Sequence, residues 1–204
     1  MITIENFMLE NTNQISSPEN DKLTHMYYLL ETVTGILKEN NIAHYIDCGT
    51  LLGCIRENGL LKHDSDVDIT IHLSEWNELK KIDFSTVGFI KIRQDEGESQ
   101  GRIMSVKVPN EILYCDIYAN PAFPQLETRS MMNTKGETKK YNVPVQSDLY
   151  LTLLYGNWRE PSGKHADWPV FFYTALVVSE YQKYWDTKYE ISFDQSFAQE
   201  TEQN

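Results

Sequence analysis

Three aspartates at a spacing of two, Asp64, Asp66 and Asp68, are the residues whose type and position best suit chemistry. With 12 Asp among 204 residues, a D-x-D-x-D triplet is expected by chance only about 0.04 times. In a strand Asp66 and Asp68 point to the same face, where they repel each other without a cation. Mg²⁺ prefers such oxygens and completes its shell with water and substrate phosphate. The triplet therefore indicates a metal site, with a solvated acidic strand end as the alternative.

A fourth aspartate, Asp116, lies inside the otherwise apolar run Tyr114–Tyr118. A lone Asp in a buried strand is uncommon. If this strand pairs beside the one that carries Asp66 and Asp68, the spacing of about 4.8 Å between strands brings the carboxylates together. Asp116 is then a third metal ligand or the general base. A buried, hydrogen-bonded Asp with no chemical role is the alternative.

A Gly-Thr turn precedes these aspartates in the run Asp47-Cys48-Gly49-Thr50. The turn leads from a predicted strand into a predicted helix, whose N-terminal amides are suited to bind phosphate. A strand, a Gly-Thr turn, a helix and then a strand with paired Asp resemble the layout of the nucleotidyltransferase fold.

Three runs narrow this resemblance to one family. They are Asp47–Arg56 (DCGTLLGCIR), Asn58–Leu61 (NGLL) and Asp64–Ile69 (DSDVDI). These runs resemble the LicD family, which includes fukutin and fukutin-related protein, in its recurring D-x-G-T-L-L-G, its Arg and its D-x-D-x-D. Asp116 resembles the later strand carboxylate of that family, and the resemblance extends over about residues 24–169.

The resemblance implies both a fold and an activity. The fold is α+β (α/β), a single domain with a nucleotidyltransferase-like mixed β-sheet flanked by helices. The activity is Mg²⁺- or Mn²⁺-dependent transfer of a phospho-alcohol group, phosphocholine or a polyol phosphate, from a CDP-linked donor to a hydroxyl of a glycan or related acceptor, with release of CMP. Asp66, Asp68 and Asp116 would hold the metal, and Asp116 or Asp64 would accept the hydroxyl proton.

Two other functions remain open for the same residues. A nucleotidyltransferase of this fold moves NMP from an NTP to a hydroxyl of a small molecule or protein and releases pyrophosphate. A catalytically silent module would bind a nucleotide or glycan without turnover. The repulsive carboxylate cluster argues against the silent module, because the cluster has no evident stabilising value without a metal. The run Lys62-His63 and Ser65 depart from the family pattern, so the substrate subclass is open.

Further side chains are candidates for substrate contact. An acidic site needs cations to hold phosphate, and Tyr or Trp rings can stack on a base. Ordinary surface cations and packed aromatic residues are the alternatives. The substrate-binding candidates are Gly49, Thr50, Arg56, Lys62, Tyr155, Trp158 and Arg159. The histidines do not match a common zinc spacing. The cysteines lie in apolar runs, which predicts packed thiols.

Residue patterning predicts the elements that position these groups. Helices are expected from Ser16 to Asn40–Asn41, over Thr50–Glu57 with Gly59 closing it, and after a Ser74 cap. Strands are expected at Ala43–Cys48, Val67–Leu73, Val87–Arg93, Arg102–Val108 and Ile112–Tyr118, the third and fourth forming a hairpin. Later segments, including Leu149–Leu154 and Val170–Tyr184, are expected to be helical.

Composition bounds the partners and the location. The net charge is −12, from 18 basic and 30 acidic residues, which disfavours nucleic acid as a partner. No stretch is long and apolar enough to span a membrane, no leader is evident, and three cysteines favour a reducing compartment, so a cytoplasmic protein is expected. One domain is expected over residues 16–192, between a flexible segment 1–15 and a disordered acidic tail 193–204.

Overall fold

A five-stranded mixed sheet dominates the computed structural model, which describes residues 18–96, 102–121 and 123–161. The sheet order is β1-β2-β5-β4-β3, and β6 and β7 form a separate two-stranded sheet. The strands are β1 His44–Ile46, β2 Asp66–His72, β3 Ile90–Asp95, β4 Arg102–Lys107, β5 Tyr114–Asn120, β6 Leu126–Met132 and β7 Thr138–Pro144. The α-helices are α1 Pro18–Glu39, α2 Cys48–Glu57, α3 Trp76–Lys81 and α4 Ser147–Tyr155. The predicted α+β fold is confirmed.

Helix α1 packs against the central strands β2 and β5. Its apolar side chains recur three and four residues apart, which places them on one face of the helix. This buried face consists of Leu23, Met26, Tyr27, Leu30, Val33 and Leu37. The Tyr27 hydroxyl accepts a hydrogen bond from the Leu60 amide and donates one to the Met132 carbonyl, so it ties α1 to two later segments. The helix ends at Glu39, next to the predicted end, whereas Ser16 lies outside the described residues.

The central pair of the sheet, β2 and β5, is parallel, and the other neighbouring strands of this sheet are antiparallel. Asp68 is opposite Asp116 in the register of the parallel pair. The apolar face of β2 consists of Val67, Ile69 and Ile71, all fully buried. Because strand side chains alternate, the aspartates of β2 face the other way. The predicted β3–β4 hairpin is confirmed.

Two helix boundaries differ from prediction. Helix α2 begins at Cys48 instead of Thr50. It ends at Glu57, and the cap is Asn58 in the left-handed conformation, with φ 53°, instead of Gly59. The segment after β2 is a 3₁₀ turn at Leu73–Glu75 followed by α3. His72 caps this turn, since its side chain accepts from the Ser74 amide. The observed caps therefore precede the predicted ones, by one residue at Asn58 and by two at His72.

The prediction that all later segments are helical is wrong for β6 and β7. One residue of β6, Met131, is buried, and the buried residues of β7, Tyr141, Val143 and Pro144, lie at its end, so the apolar alternation is weak. The hairpin is held from outside instead. The Asn142 side chain donates to the His44 carbonyl at 3.0 Å, and the Met132 amide donates to the Asn58 carbonyl at 2.9 Å. Tertiary contacts therefore decide the structure of this segment.

Several expectations fall on other parts of the chain. Leu149–Leu154 lies within α4, as predicted, whereas Val170–Tyr184 lies outside the described residues. Segments 1–15 and 193–204 also lie outside them, so the domain boundaries stay predictions. None of the helices in the described part is long and apolar enough to cross a bilayer.

Candidate metal centre

Asp66, Asp68 and Asp116 converge at the start of the parallel strand pair. One carboxylate oxygen from each residue lies within 4.8 Å of those of the others. The register of β2 and β5 produces this convergence, because it sets Asp116 beside Asp68 and only one strand spacing away. The strand pairing expected from the sequence is therefore confirmed. That these carboxylates bind a metal stays a prediction.

The three carboxylates disfavour one another's ionised forms. Burial, together with the nearby Asp64, raises the pKa of Asp66 to about 7. The pKa of Asp68 is raised well above its usual range, first by burial and then by the charges of Asp66 and Asp64. Burial also raises the pKa of Asp116. A hard divalent cation would relieve this repulsion, and oxygen donors are the ligands that Mg²⁺ and Mn²⁺ prefer.

Two hydroxyl groups orient the carboxylates. Ser105 on β4 donates a short hydrogen bond to Asp116. The Tyr118 hydroxyl lies 3.3 Å from oxygens of both Asp68 and Asp116. Sequence reasoning missed both residues. Tyr118 is two residues after Asp116 and so shares its face, which is a usable signal. Ser105 depends on the β4–β5 register, which the sequence does not reveal.

The Gly-Thr turn seats the carboxylates from the other side. The Gly49 amide donates to Asp68 Oδ2 at 3.2 Å, and the Thr50 hydroxyl accepts from the Asp68 amide at 2.9 Å. A Cβ at Gly49 would overlap the Asp64 carboxylate, so glycine permits this close approach. The turn thus contacts the site directly. Phosphate binding at its amides stays a prediction, and the Gly49 amide already has a carboxylate partner.

Asp47, immediately before α2, is another functional candidate that sequence reasoning did not separate from its motif. It is fully buried. It accepts hydrogen bonds from the Cys48 amide at 2.7 Å, the Thr70 hydroxyl at 2.7 Å and the Tyr150 hydroxyl at 2.8 Å. Asp47 therefore links β1, β2 and α4 behind the metal-ligand candidates.

Among the predicted substrate contacts, Arg56 and Arg159 both contact Trp158. Arg56 donates to the Trp158 carbonyl at 3.1 Å and pairs with Glu57 at 2.8 Å. The Arg159 guanidinium lies 4.3 Å from the centre of the Trp158 ring and also pairs with Asp148. The Trp158 side chain is 6% exposed. These contacts pack the end of α4 against α2, so substrate binding by these three residues stays a prediction.

The remaining substrate candidates are Tyr155, which interacts electrostatically with the aspartates, and Lys62, which is close to Asp64 in sequence. Burial raises the pKa of Tyr155 far above its usual range, and the charges of Cys48 and Asp68 add to this effect. The Tyr155 hydroxyl is thus within electrostatic reach of the site. Lys62 is an exposed residue shortly before Asp64, and its carbonyl accepts a hydrogen bond from Lys22.

The three cysteines are buried and form no disulfide. Burial raises the pKa of Cys54 to about 11 and that of Cys115 well above its usual value. Protonated thiols are poor nucleophiles and poor metal ligands. The prediction of packed thiols is therefore confirmed.

Two clefts lie outside the carboxylate cluster. A cleft of about 880 Å³ is lined by the end of α2, by β6 and by the start of α4. Another of about 730 Å³ follows α1, β1 and β7. Neither is lined by Asp66, Asp68 or Asp116. The candidate centre is thus identified by its chemistry and not by cavity size.

Comparison with known families matches residues 41–144 to the model described as LicD/FKTN/FKRP, nucleotidyltransferase domain. The match runs from before β1 through β7 and includes all three converging carboxylates.

Two relatives match shorter stretches. An uncharacterized protein of Rickettsia prowazekii (strain Madrid E) is 34% identical over 70 residues, which cover 33% of this chain and 26% of that protein. An uncharacterized protein of Rickettsia typhi (strain ATCC VR-144 / Wilmington) is 40% identical over 50 residues, which cover 24% of this chain and 16% of that protein. The chain thus spans about a quarter or less of the length of these relatives.

Proposed function

Because the chain belongs to the LicD/FKTN/FKRP nucleotidyltransferase-domain family, we propose that it transfers a phospho-alcohol group from a CDP-linked donor to a hydroxyl of a glycan or related acceptor, with release of CMP. The phospho-alcohol is phosphocholine or a polyol phosphate. The observation that carries this proposal is the convergence of Asp66, Asp68 and Asp116 within 4.8 Å. Such a cluster suits phosphoryl transfer, in which positioning and charge stabilisation supply most of the catalysis.

The three carboxylates fit Mg²⁺ or Mn²⁺. They offer only hard oxygens, and their raised pKa values reflect burial and mutual repulsion that a divalent cation would offset. Bound there, the cation would neutralise charge on the donor diphosphate and on the leaving phosphate. The hydroxyls of Ser105 and Tyr118 would keep the carboxylate oxygens turned toward it.

The transfer itself is a displacement at one phosphorus. The acceptor hydroxyl oxygen forms a bond to the donor phosphorus that carries the alcohol. The bond from this phosphorus to the bridging oxygen breaks, and CMP leaves with that oxygen. The acceptor proton passes to a carboxylate. Asp116 already accepts from Ser105 and Tyr118, whereas Asp64 is half-buried beside Asp66. We therefore assign the proton to Asp64 and the metal to Asp116.

The proposed partners are a nucleotide-linked small-molecule donor and a hydroxyl acceptor. A cytoplasmic location belongs to the same proposal, and the three buried free thiols support it because thiols persist in reducing compartments.

Product identification tests the proposal. The protein is incubated with Mg²⁺, a panel of CDP-alcohols and sugar or polyol acceptors, and in parallel with NTPs. We expect CMP from a CDP-alcohol, loss of this CMP in chelator and in Asp68→Asn, and no loss in Asp83→Asn. Asp83 is an exposed aspartate that caps a distant 3₁₀ turn, so it is a matched control. Pyrophosphate from an NTP without CMP from any donor would contradict the proposal in favour of nucleotidyl transfer. If neither CMP nor pyrophosphate forms, the remaining interpretation is a catalytically silent binding module.

A further inference from the structure

A continuous row of side chains crosses the sheet from the metal centre to its outer strand. Asp68 is opposite Asp116, Asp116 is opposite Ser105, and Ser105 is opposite Arg93 on β3. Residues directly opposite each other on neighbouring strands project from the same face of the sheet. The hydrogen bond from Ser105 to Asp116 confirms that this face is the carboxylate face. Arg93 therefore projects toward the same side as the three aspartates.

A β-bulge puts Arg93 into this row. Lys91 is opposite Val106, but the next paired residue is Arg93, opposite Ser105, so Ile92 is an extra residue in β3. In an unbroken strand Ile92 would be opposite Ser105, and Arg93 would face the other side with Met104. Bulges commonly redirect a side chain next to an active site. Here the bulge turns a cation, instead of an isoleucine, toward the carboxylates.

The charge of Arg93 reaches the centre while its side chain stays accessible. Arg93 lowers the pKa of Asp116, against the larger effect of burial, which raises it. The guanidinium is about half exposed and lies 3.4 Å from Asp95, a pair on the surface. Exposed ion pairs of this kind are weak, so an anionic ligand can compete for the guanidinium. Arg56, by contrast, is mostly buried and is held by the Trp158 carbonyl and by Glu57.

We propose that Arg93 is a phosphate-binding residue of this centre, which contacts the diphosphate of the donor while Asp66, Asp68 and Asp116 hold the cation. The carboxylates that hold the cation already offset its charge, so the negative charge of a diphosphate needs a further cation. A guanidinium binds phosphate oxygens in a two-point geometry. The identity of the diphosphate as a CDP-linked donor rests on the proposed function. The contact between Arg93 and a metal-bound diphosphate does not.

Binding of inorganic pyrophosphate and of CDP in Mg²⁺, measured by calorimetry, tests this contact apart from turnover. The variants are Arg93→Gln, Arg93→Lys and, as the matched control, Lys91→Gln. Lys91 is on the same exposed strand, but its register partner is Val106 on the opposite face. Lys91→Gln therefore removes the same charge from the same strand without touching the row.

We expect Arg93→Gln to weaken Mg²⁺-dependent pyrophosphate binding about tenfold or more. Arg93→Lys should fall between this variant and the parent, because lysine keeps the charge and loses the two-point geometry. Lys91→Gln should match the parent. Mg²⁺ binding without pyrophosphate should not be weaker in any variant than in the parent, and the melting temperature should be the same in all four proteins.

Three results would overturn the inference: unchanged pyrophosphate binding in Arg93→Gln, equal weakening in Lys91→Gln, or no pyrophosphate binding by the parent in Mg²⁺. Failure of the proposed function gives a different result. If pyrophosphate binds through Arg93 but no CDP-alcohol yields CMP, then the donor assignment is wrong and the Arg93 contact stands.

Discussion

Two neighbouring aspartates, Asp47 and Asp68, are both buried, yet their surroundings differ. They are adjacent in space, since the Asp47 amide donates to the Asp68 carbonyl at 3.0 Å. Three donors hold the Asp47 carboxylate at 2.7 to 2.8 Å. The Asp68 carboxylate has longer contacts, at 3.2 to 3.3 Å, and faces other carboxylates.

The difference separates a structural carboxylate from one suited to bind a ligand. Burial raises the pKa of both residues, but hydrogen bonds from Thr70, Cys48 and Tyr150 oppose this effect at Asp47. At Asp68 the contributions that follow burial come from like charges and raise the pKa further. Burial alone therefore does not identify a metal ligand. What identifies it is the character of the neighbours, donors in one case and acceptors in the other.

Removing the Asp47 carboxylate should have the largest effect on stability. Asp47→Ala removes the carboxylate to which the buried hydroxyls of Thr70 and Tyr150 donate. We expect a loss of about 3 kcal/mol in the free energy of unfolding. The loss should be the same in chelator and in Mg²⁺, because Asp47 stabilises the fold. Urea denaturation in both conditions measures it, and a loss seen only in Mg²⁺ would make Asp47 part of the metal centre.

Removing a carboxylate from the cluster, unlike removing Asp47, should change the stability differently in chelator and in Mg²⁺. In chelator, Asp66→Asn and Asp68→Asn should be no less stable than the parent, and up to about 1 kcal/mol more stable, because each relieves repulsion. The parent should gain about 2.7 kcal/mol at a Mg²⁺ concentration a hundredfold above Kd, and the variants little. Melting temperatures in chelator and in Mg²⁺ decide this. If Mg²⁺ raises the melting temperature of the variants as much as that of the parent, the aspartates form a solvated acidic strand end and not a metal site.

Asp116→Asn sharpens the assignment of roles within the cluster. If Asp116 is a ligand, its replacement should abolish the Mg²⁺-dependent gain in melting temperature. If Asp116 is chiefly the base, the variant should keep this gain and lose only turnover. The same melting experiment, with the CMP assay beside it, separates the two roles.

The stability of the metal-free protein should also depend on pH. Because the pKa of Asp66 is raised from 3.8 to about 7 in the folded state, the folded protein binds a proton that the unfolded chain has lost. This contribution to stability is fully present below about pH 4 and is lost as the pH rises through about 7. Denaturation in chelator at several pH values should show the decline, and it should be shallower in Asp66→Asn. A stability that rises with pH across this window would contradict the pKa direction.

The smallest effect should come from Tyr118→Phe. The hydroxyl contacts Asp68 and Asp116 at 3.3 Å, which is long for a hydrogen bond, so the free energy of unfolding in chelator should change by about 1 kcal/mol or less. Loss of the hydroxyl should affect the orientation of two candidate ligands more than it affects the stability of the fold. We therefore expect about tenfold weaker Mg²⁺ binding. Calorimetric Mg²⁺ titration checks this, and an unchanged Kd would show that Tyr118 only fills space.

Local patterns predicted the members of the cluster, although their convergence depends on the register of β2 and β5. Alternation along β2 puts Asp66 and Asp68 on one face, and an aspartate in an apolar run marked the strand that pairs beside them. The hairpin β6–β7 was not predictable in this way, because its polar strands are held by β1 and by the end of α2.

Cations were harder to place from the sequence than carboxylates. Arg56 lies in the helix of the motif and Arg159 follows α4, but the sequence does not show which groups these side chains contact. Arg93 is far from the motif in sequence and enters the carboxylate face only through pairing and a bulge. Register and bulges depend on contacts between distant segments, so a single sequence does not show them.

The parallel pairing of β2 with β5 has a consequence for kinetics. Asp68 and Asp116 meet only after the chain between them, which contains the whole β3–β4 hairpin, has closed into a crossover. Closing such a long loop costs entropy before its contacts form, so it occurs late in folding. We therefore expect Mg²⁺ to leave the refolding rate nearly unchanged and to slow unfolding. Bound metal would then lengthen the lifetime of the folded chain without helping to build it.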